Sequence, residues 1–187
     1  SMMSISGPAM AAIGWAGKTT ATFDNKMSRV KAITGETGKT FQQMRQYAIK
    51  MGNDTVFSAS QVADAMSNMG MAGWKFKDMK QGGKSVVDLS AAFGIEPEKA
   101  TEIVTGNLAA LKMPVSQAST LVNQLAAAAA NSNTDVLDLG ESLKYVGTVA
   151  GAFGYSSKDT INALGVMANA NIKGSMAGTS LRNILTS

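Results

Sequence analysis

The feature that most constrains this sequence is its punctuation. A glycine, a proline or a capping residue interrupts the apolar pattern roughly every 12 to 25 residues. Between these breaks the apolar residues recur at steps of three and four, the period of a helix that buries one face. The pattern predicts a compact all-α domain of about eight helices, built from helical hairpins. A chain of 187 residues is long enough to bury a substantial core in one domain or in two lobes.

Taken in order, Pro8 suits the first position of a helix, because its missing amide costs nothing there. Ile13, Ala16, Phe23, Met27 and Val30 carry that helix to about Ile33, with Thr19, Thr20 and Thr22 as its weak part. The segment Thr34-Gly35-Glu36-Thr37-Gly38-Lys39-Thr40 looks like a phosphate loop but lacks the required first glycine, since Ile33 stands there. Gly17-Lys18-Thr19 fails in the same way at Ala12. A turn and a helix cap are expected at the first of these. Phe41, Met44, Ala48 and Met51 then form a seam that Gly52 is expected to stop. Ser58 and Gln61 have capping-box spacing. They open a helix with Val62, Ala65, Met66, Met69 and Ala72 inside, Asp64, Ser67 and Asn68 outside, and Gly73 at its end.

Trp74 and Phe76, flanked by lysines, are read first as aromatic anchors and second as a contact for a partner. Gly82-Gly83 is the expected hinge between two helical lobes. Short helices should follow, from Ser85 to Phe93 with Gly94 as stop, and from Pro97 to about Lys112. Met113-Pro114 breaks the pattern before a helix from Ser116 to Asn131. Its alanine run, Ala126 to Ala130, is read as a tight packing face.

The last third is an amphipathic helix, a glycine stop, a second capped helix, a glycine-bearing loop and the start of a third helix. Thr134 is the expected cap of the first, with Val136, Leu139, Leu143, Val146 and Ala150 buried, and with Gly147 and Gly151 as a close-packing pair. Ser156 and Asp159 cap the second, which buries Ile161, Leu164, Met167 and Ala168 and ends at a left-handed Asn171. Lys173-Gly174-Ser175 turns into a last helix that buries Ala177, Leu181, Ile184 and Leu185. The positions from Ser58 to Ala72 recur from Ser156 to Ala170, and Phe93-Gly94 matches Phe153-Gly154, a weak internal echo of repeated hairpins.

Missing residues narrow the chemistry. The chain has no histidine and no cysteine, which removes the commonest general base and metal ligand, the thiolate nucleophile and any disulfide. Glu96, Glu98, Glu102 and Glu141 are the only glutamates besides Glu36, and three of those four sit at one helix start, where acids are favoured anyway. No catalytic residue, cofactor or metal ligand is assigned. The net charge of +4 is scattered, and its densest group, Lys75, Lys77 and Lys80, is interrupted by Asp78. A solvated helix face accounts for it, and no nucleic-acid partner is expected. The apolar run Ala9 to Ala16 is too short to cross a bilayer and lacks a basic leader. Ser1-Met2-Met3 reads as a vector scar, and the chain as a segment of a longer protein.

The sequence also resembles a known family. Leu139-Gly140-Glu141-Ser142-Leu143-Lys144-Tyr145-Val146, Gly154-Tyr155-Ser156 and Ile172-Lys173-Gly174-Ser175-Met176-Ala177-Gly178-Thr179-Ser180-Leu181-Arg182 resemble the conserved N-terminal region of bacteriophage tail tape measure proteins of the minor-tail type. Phe57-Ser58-Ala59, Val62-Ala63, Ala65-Met66 and Ala72-Gly73-Trp74 look like an earlier block of it, and the matches span Asp24 to Arg182. The resemblance implies a non-enzymatic structural and interaction domain that contributes to tail assembly and tail-length determination. It further implies a place inside the virion tail, and in the host cytoplasm during assembly. Expected partners are the tail tube protein, tail assembly chaperones and a second copy of the chain. The candidate contacts are Trp74, Phe76, Tyr145, Lys173 and Arg182. The competing expectation is a segment that contacts the host membrane and forms a pore during genome ejection.

Overall fold

The computed structural model describes the backbone from Pro8 to Ser187 and the side chains from Thr20 onward. The expectations for Ser1-Met2-Met3, for the Ala9 to Ala16 run with Ile13, and for the side chains of Lys18 and Thr19 lie outside the described residues. Nine α-helices and one short 3-10 turn form among the described residues, with no strand: α1 (Pro8–Thr34), α2 (Gly38–Asp54), α3 (Ala59–Met71), α4 (Phe76–Phe93), α5 (Pro97–Ala110), the turn Val115–Gln117, α6 (Ala118–Asn131), α7 (Val136–Phe153), α8 (Ser157–Asn169) and α9 (Gly174–Thr186). The all-α class is as expected. No helix among the described residues is long and apolar enough to cross a membrane.

The helix ends explain this division. Ser58 accepts a bond from the Gln61 amide, while the Gln61 side chain accepts from the Ser58 amide at 2.9 Å, a reciprocal capping box. Ser156 likewise accepts from the Asp159 amide at 3.0 Å. Five helices end at a left-handed residue, after which the chain folds back on the last helical turn. Gly73, Gly94, Lys112, Gly154 and Asn171 have φ of 88°, 62°, 55°, 77° and 62°. The next amide in each case donates to a carbonyl five residues earlier, as from Trp74 to Met69 at 3.0 Å and from Met113 to Leu108 at 2.8 Å.

One contiguous core runs through all nine helices, from Met27 and Val30 on α1 to Ala177 and Leu181 on α9. α5 lies in the middle, packed against α3 and α4 on one side and α7 on the other, while α1 and α2 cover α3, and α8 and α9 cover α7. Methionines fill much of the first half: Met27, Met44, Met66, Met69 and Met79 are all fully buried. Their unbranched chains suit the irregular gaps where helices of different length cross.

Several expectations change in the structure. Gly52 does not stop α2, which runs to Asp54. A Cβ there would lie 2.5 Å from the Ala59 amide nitrogen, so the glycine lets the start of α3 pass close by. Ser67 is buried, not exposed, because α3 is covered by α1, α2 and α5 rather than on one side only. Asp135, not Thr134, caps α7, accepting from the Asp138 amide at 2.8 Å. Of the run Ala126 to Ala130 only Ala128 is buried, and Met167 is only partly so. Ile184 is 65% exposed, one step out of phase with the buried stripe of α9.

Gly82 and Gly83, expected at a link between lobes, lie in the middle of the continuous, 18-residue α4. Both are buried. A Cβ on Gly82 would stand 2.6 Å from the Trp74 ring and 2.9 Å from Val115, and one on Gly83 would stand 2.7 Å from the Tyr47 hydroxyl. The pair therefore admits an aromatic ring to the helix surface. In a flexible, solvated helix Gly82→Ala would gain about 1 kcal/mol of propensity. Here the added methyl group has no room, and urea denaturation should show a loss of about 1–3 kcal/mol. A more stable variant would speak for a hinge.

Candidate interaction surface

The candidate contact residues divide into two groups. Trp74 and Phe76 are 7% and 6% exposed, and both act as anchors. Trp74 caps Gly82 beside Val115. Phe76 takes the edge of the Tyr47 ring, with centroids 6.0 Å apart and planes at 83°, and carries the Lys80 ammonium 4.9 Å above its own ring. The structure thus presents the lysines around these rings to solvent and keeps the rings themselves inside.

Tyr145 lies on α7, and Lys173 and Arg182 lie toward opposite ends of α9, the helix that packs along α7. Lys173 is the residue before α9 and is half-buried, Arg182 is exposed on α9, and Tyr145 is 40% exposed on α7. The contact between α7 and α9 is made by smaller residues. Gly178 presses on the Ser142 carbonyl, so closely that a Cβ would stand well inside van der Waals contact with that oxygen and 2.9 Å from the Tyr145 Cβ. The Ser142 hydroxyl lies 2.8 Å from both the Gly174 and the Asp138 carbonyls and shares its one proton between α9 and its own helix. This is the physical content of the Gly174-Ser175-Met176-Ala177-Gly178 block.

Exposed apolar side chains concentrate on the last three helices. Phe153, Val166, Met176 and Ile184 are 65%, 70%, 61% and 65% exposed, with Tyr155 beside Phe153. Sequence reasoning did not single out Phe153, Val166 and Met176 as surface residues. Their signal was present only as positions off the buried stripe.

The glutamates form ion pairs. Lys144 on α7 reaches Glu102 on α5 at 2.5 Å and Glu141 at 3.0 Å, while Lys99 reaches Glu102 at 2.8 Å. Lys144 first, and then Lys99, hold the Glu102 carboxyl below its ordinary range, while Glu102 first, and then Glu141, raise Lys144. This arrangement keeps the carboxylate ionised; it does not store a proton for transfer. Glu96 and Glu98 line a surface cavity of about 240 Å³ with Arg29, Gln61, Asp64, Asn68 and Pro97. No group of carboxylates among the described residues is arranged to hold a metal.

Tyr47 is the half-buried phenol of the α2–α4 contact. Its hydroxyl donates to the Met79 carbonyl at 2.9 Å. Burial first, and the charge of Asp88 second, push its pKa up to about 12 from the ordinary 10.0. The folded state favours the neutral phenol, so this contribution is whole below about pH 10 and is lost as pH climbs through 12. Spectrophotometric titration of the parent minus Tyr47→Phe should recover one phenol near 12, and a value near 10 would contradict the contact.

The α7–α9 junction gives a second expectation. Gly178→Ala should cost about 1–3 kcal/mol in urea denaturation, whereas Met176→Ala on the exposed face should change stability by less than about 0.5 kcal/mol. Equal effects would mean that α9 is not seated on Ser142.

Comparison with known proteins bears on the same segments. The family model for the phage-related minor tail protein matches residues 45–187. The tape measure protein of Pneumococcus phage Dp-1 is 37% identical over 164 residues, which is 88% of this chain and 14% of the relative. The probable tape measure protein of Escherichia phage P2 is 24% identical over 166 residues, again 88% of this chain and 20% of the relative. This chain thus spans a small part of the length of either relative. No solved structure matches it. The matched family segment holds the α7–α9 contact, the capping box of α3 and the central α5, and the chain belongs to the phage-related minor tail protein family.

Proposed function

We propose that this chain is a non-enzymatic interaction domain of a phage tail tape measure protein, contributing to tail assembly and tail-length determination. The observation that carries the reading is the 37% identity to a named tape measure protein across 88% of the chain. Its place would be the tail interior, after assembly in the host cytoplasm. Its partners would be the tail tube protein, the tail assembly chaperones and a second copy of itself.

The fold limits how such a domain takes part in measuring length. As one uninterrupted helix, 187 residues would reach about 280 Å at 1.5 Å per residue. The longest helix here, α1, has 27 residues and spans only about 40 Å. The domain therefore acts by binding and anchoring, and the ruler lies in other parts of the longer protein.

An in-frame deletion of this region in a phage that carries it tests the division. The expected result is loss of tails or a sharp fall in their number, with any surviving tails shortened by far less than about 280 Å. Tails shortened by that full length, seen by electron microscopy, would make this region part of the ruler instead. Co-purification of the chain with tail tube and chaperone proteins checks the proposed partners directly.

A further inference from the structure

We propose that Lys75, Lys77 and Lys80, at the start of α4, form a docking site for an acidic segment of a protein partner. The proposal rests on the interaction-domain reading above and names the surface and the chemistry of its ligand.

Ion pairing takes up six of the cations among the described residues, and of the rest only Lys75, Lys77 and Lys80 fall three together within six residues. Lys26 pairs with Asp64, Arg45 with Asp24, Lys50 with Asp54, Lys84 with Asp88, and Lys99 and Lys144 with Glu102. Lys75, Lys77 and Lys80 are exposed, and none of the ion pairs among the described residues involves them. Asp78, the one acid between them, is turned to the helix end and accepts from the Lys75 amide at 2.9 Å. Its carboxylate serves the backbone and leaves the ammonium groups without a counter-ion. Lys77 and Lys80 stand three residues apart on one face of α4, within reach of a single acidic ligand.

The support beneath this face is rigid. Trp74 and Phe76 are locked in the core on either side of Lys75, so the lysines are presented from an ordered backbone and little ordering remains to be paid on binding. The internal echo supplies a second argument. α4 begins 98 residues before α9, with starts at Phe76 and Gly174, and Lys80 stands where α9 has Gly178. Gly178 lets α9 press on α7. Lysine cannot make that approach, and the chain leaves its own Lys80 face uncovered.

The same residues favour a protein over other anions. Both aromatic rings of the segment are buried, so no platform remains on which unpaired bases could stack. No large apolar side chain from Trp74 to Lys84 is exposed, so nothing there would insert into a bilayer. Carboxylates from a partner segment match what is left.

The test uses the 187-residue chain and a glutamate-rich helical peptide of about 16 residues, with acids three and four apart. Fluorescence anisotropy should show binding that weakens with added salt and that falls at least about tenfold in the triple variant Lys75→Glu, Lys77→Glu, Lys80→Glu. The triple arginine variant should retain it, and far-ultraviolet circular dichroism should be unchanged in both. Undiminished binding by the glutamate variant would overturn the proposal, as would tighter binding of the parent to duplex DNA or to phosphatidylserine vesicles than to the peptide. Tail tube and chaperone proteins retained equally by parent and variant would sink the lysine site while leaving the interaction-domain reading intact. Their loss from the variant alone would support it.

Discussion

The close approach of α7 to α5 is the contact on which the rest of the structure depends. It is made at three glycines of α7 that share one face. A Cβ on Gly140 would lie 2.9 Å from Ile103, one on Gly147 3.0 Å from Ala110, and one on Gly151 2.6 Å from the Ala110 carbonyl. Without side chains at these points α7 lies almost on the backbone of α5. This covers one face of α5, where several buried polar groups find partners close by. Thr101 and Thr105 are buried and return their hydroxyls to the carbonyls of Pro97 and Thr101 at 2.7 and 2.8 Å. Asn107 reaches over to the Gly140 carbonyl at 3.3 Å. Because α3 holds the other side of α5, the two halves of the molecule are joined through one shared helix.

Around that helix the chain uses one local pattern more than once. α2, α3 and α4 start at Gly38, Ala59 and Phe76, and α7, α8 and α9 start at Val136, Ser157 and Gly174, each 98 residues later. The serine caps Ser58 and Ser156 coincide, as do the left-handed ends Gly73 and Asn171 and the returns of Trp74 and Ile172 to carbonyls of Met69 and Met167, both at 3.0 Å. Local signals of this kind act within a few residues, so they survive when the packing around them changes. The packing does change. α9 lies tight on α7 through Gly178, whereas α4 meets α2 through the hydroxyl of Tyr47 and opens its own glycines toward Trp74.

That contrast also separates what could be read in the sequence from what could not. The capping box at Ser58, the stops at Gly94 and Gly154, Pro97 at a helix start and the left-handed Asn171 were legible, because each depends on neighbours in sequence. So were the buried stripe of α7 and the glycine pair Gly147 and Gly151. The glycines of α2 and α4 were not. Gly52 and Gly82-Gly83 resemble a stop and a hinge, and only the position of Ala59 and of the Trp74 ring shows that they admit close neighbours. Ser67 misled for a related reason. A period of 3.6 finds one buried face, and α3 has helices on several sides.

The candidate surface follows from the same distinction. An aromatic residue beside lysines carries two readings in sequence, as a ring held inside or as a ring offered to a partner, and the choice is made by a remote glycine. Gly82 gives the Trp74 ring a place to lie flat against α4, and Tyr47 gives Phe76 an edge to meet. Once both rings are inside, Lys75 and Lys77 are left to solvent, while the Lys80 ammonium rests over the Phe76 ring. The ion pairs elsewhere are mostly exposed, and pairs of that kind contribute little stability each. Burial of apolar surface thus holds the fold together, with methionine-rich packing in the first half and glycine-mediated contact in the second. Lys75, Lys77 and Lys80 meet no carboxylate in an ion pair among the described residues, which leaves their charge available for recognition.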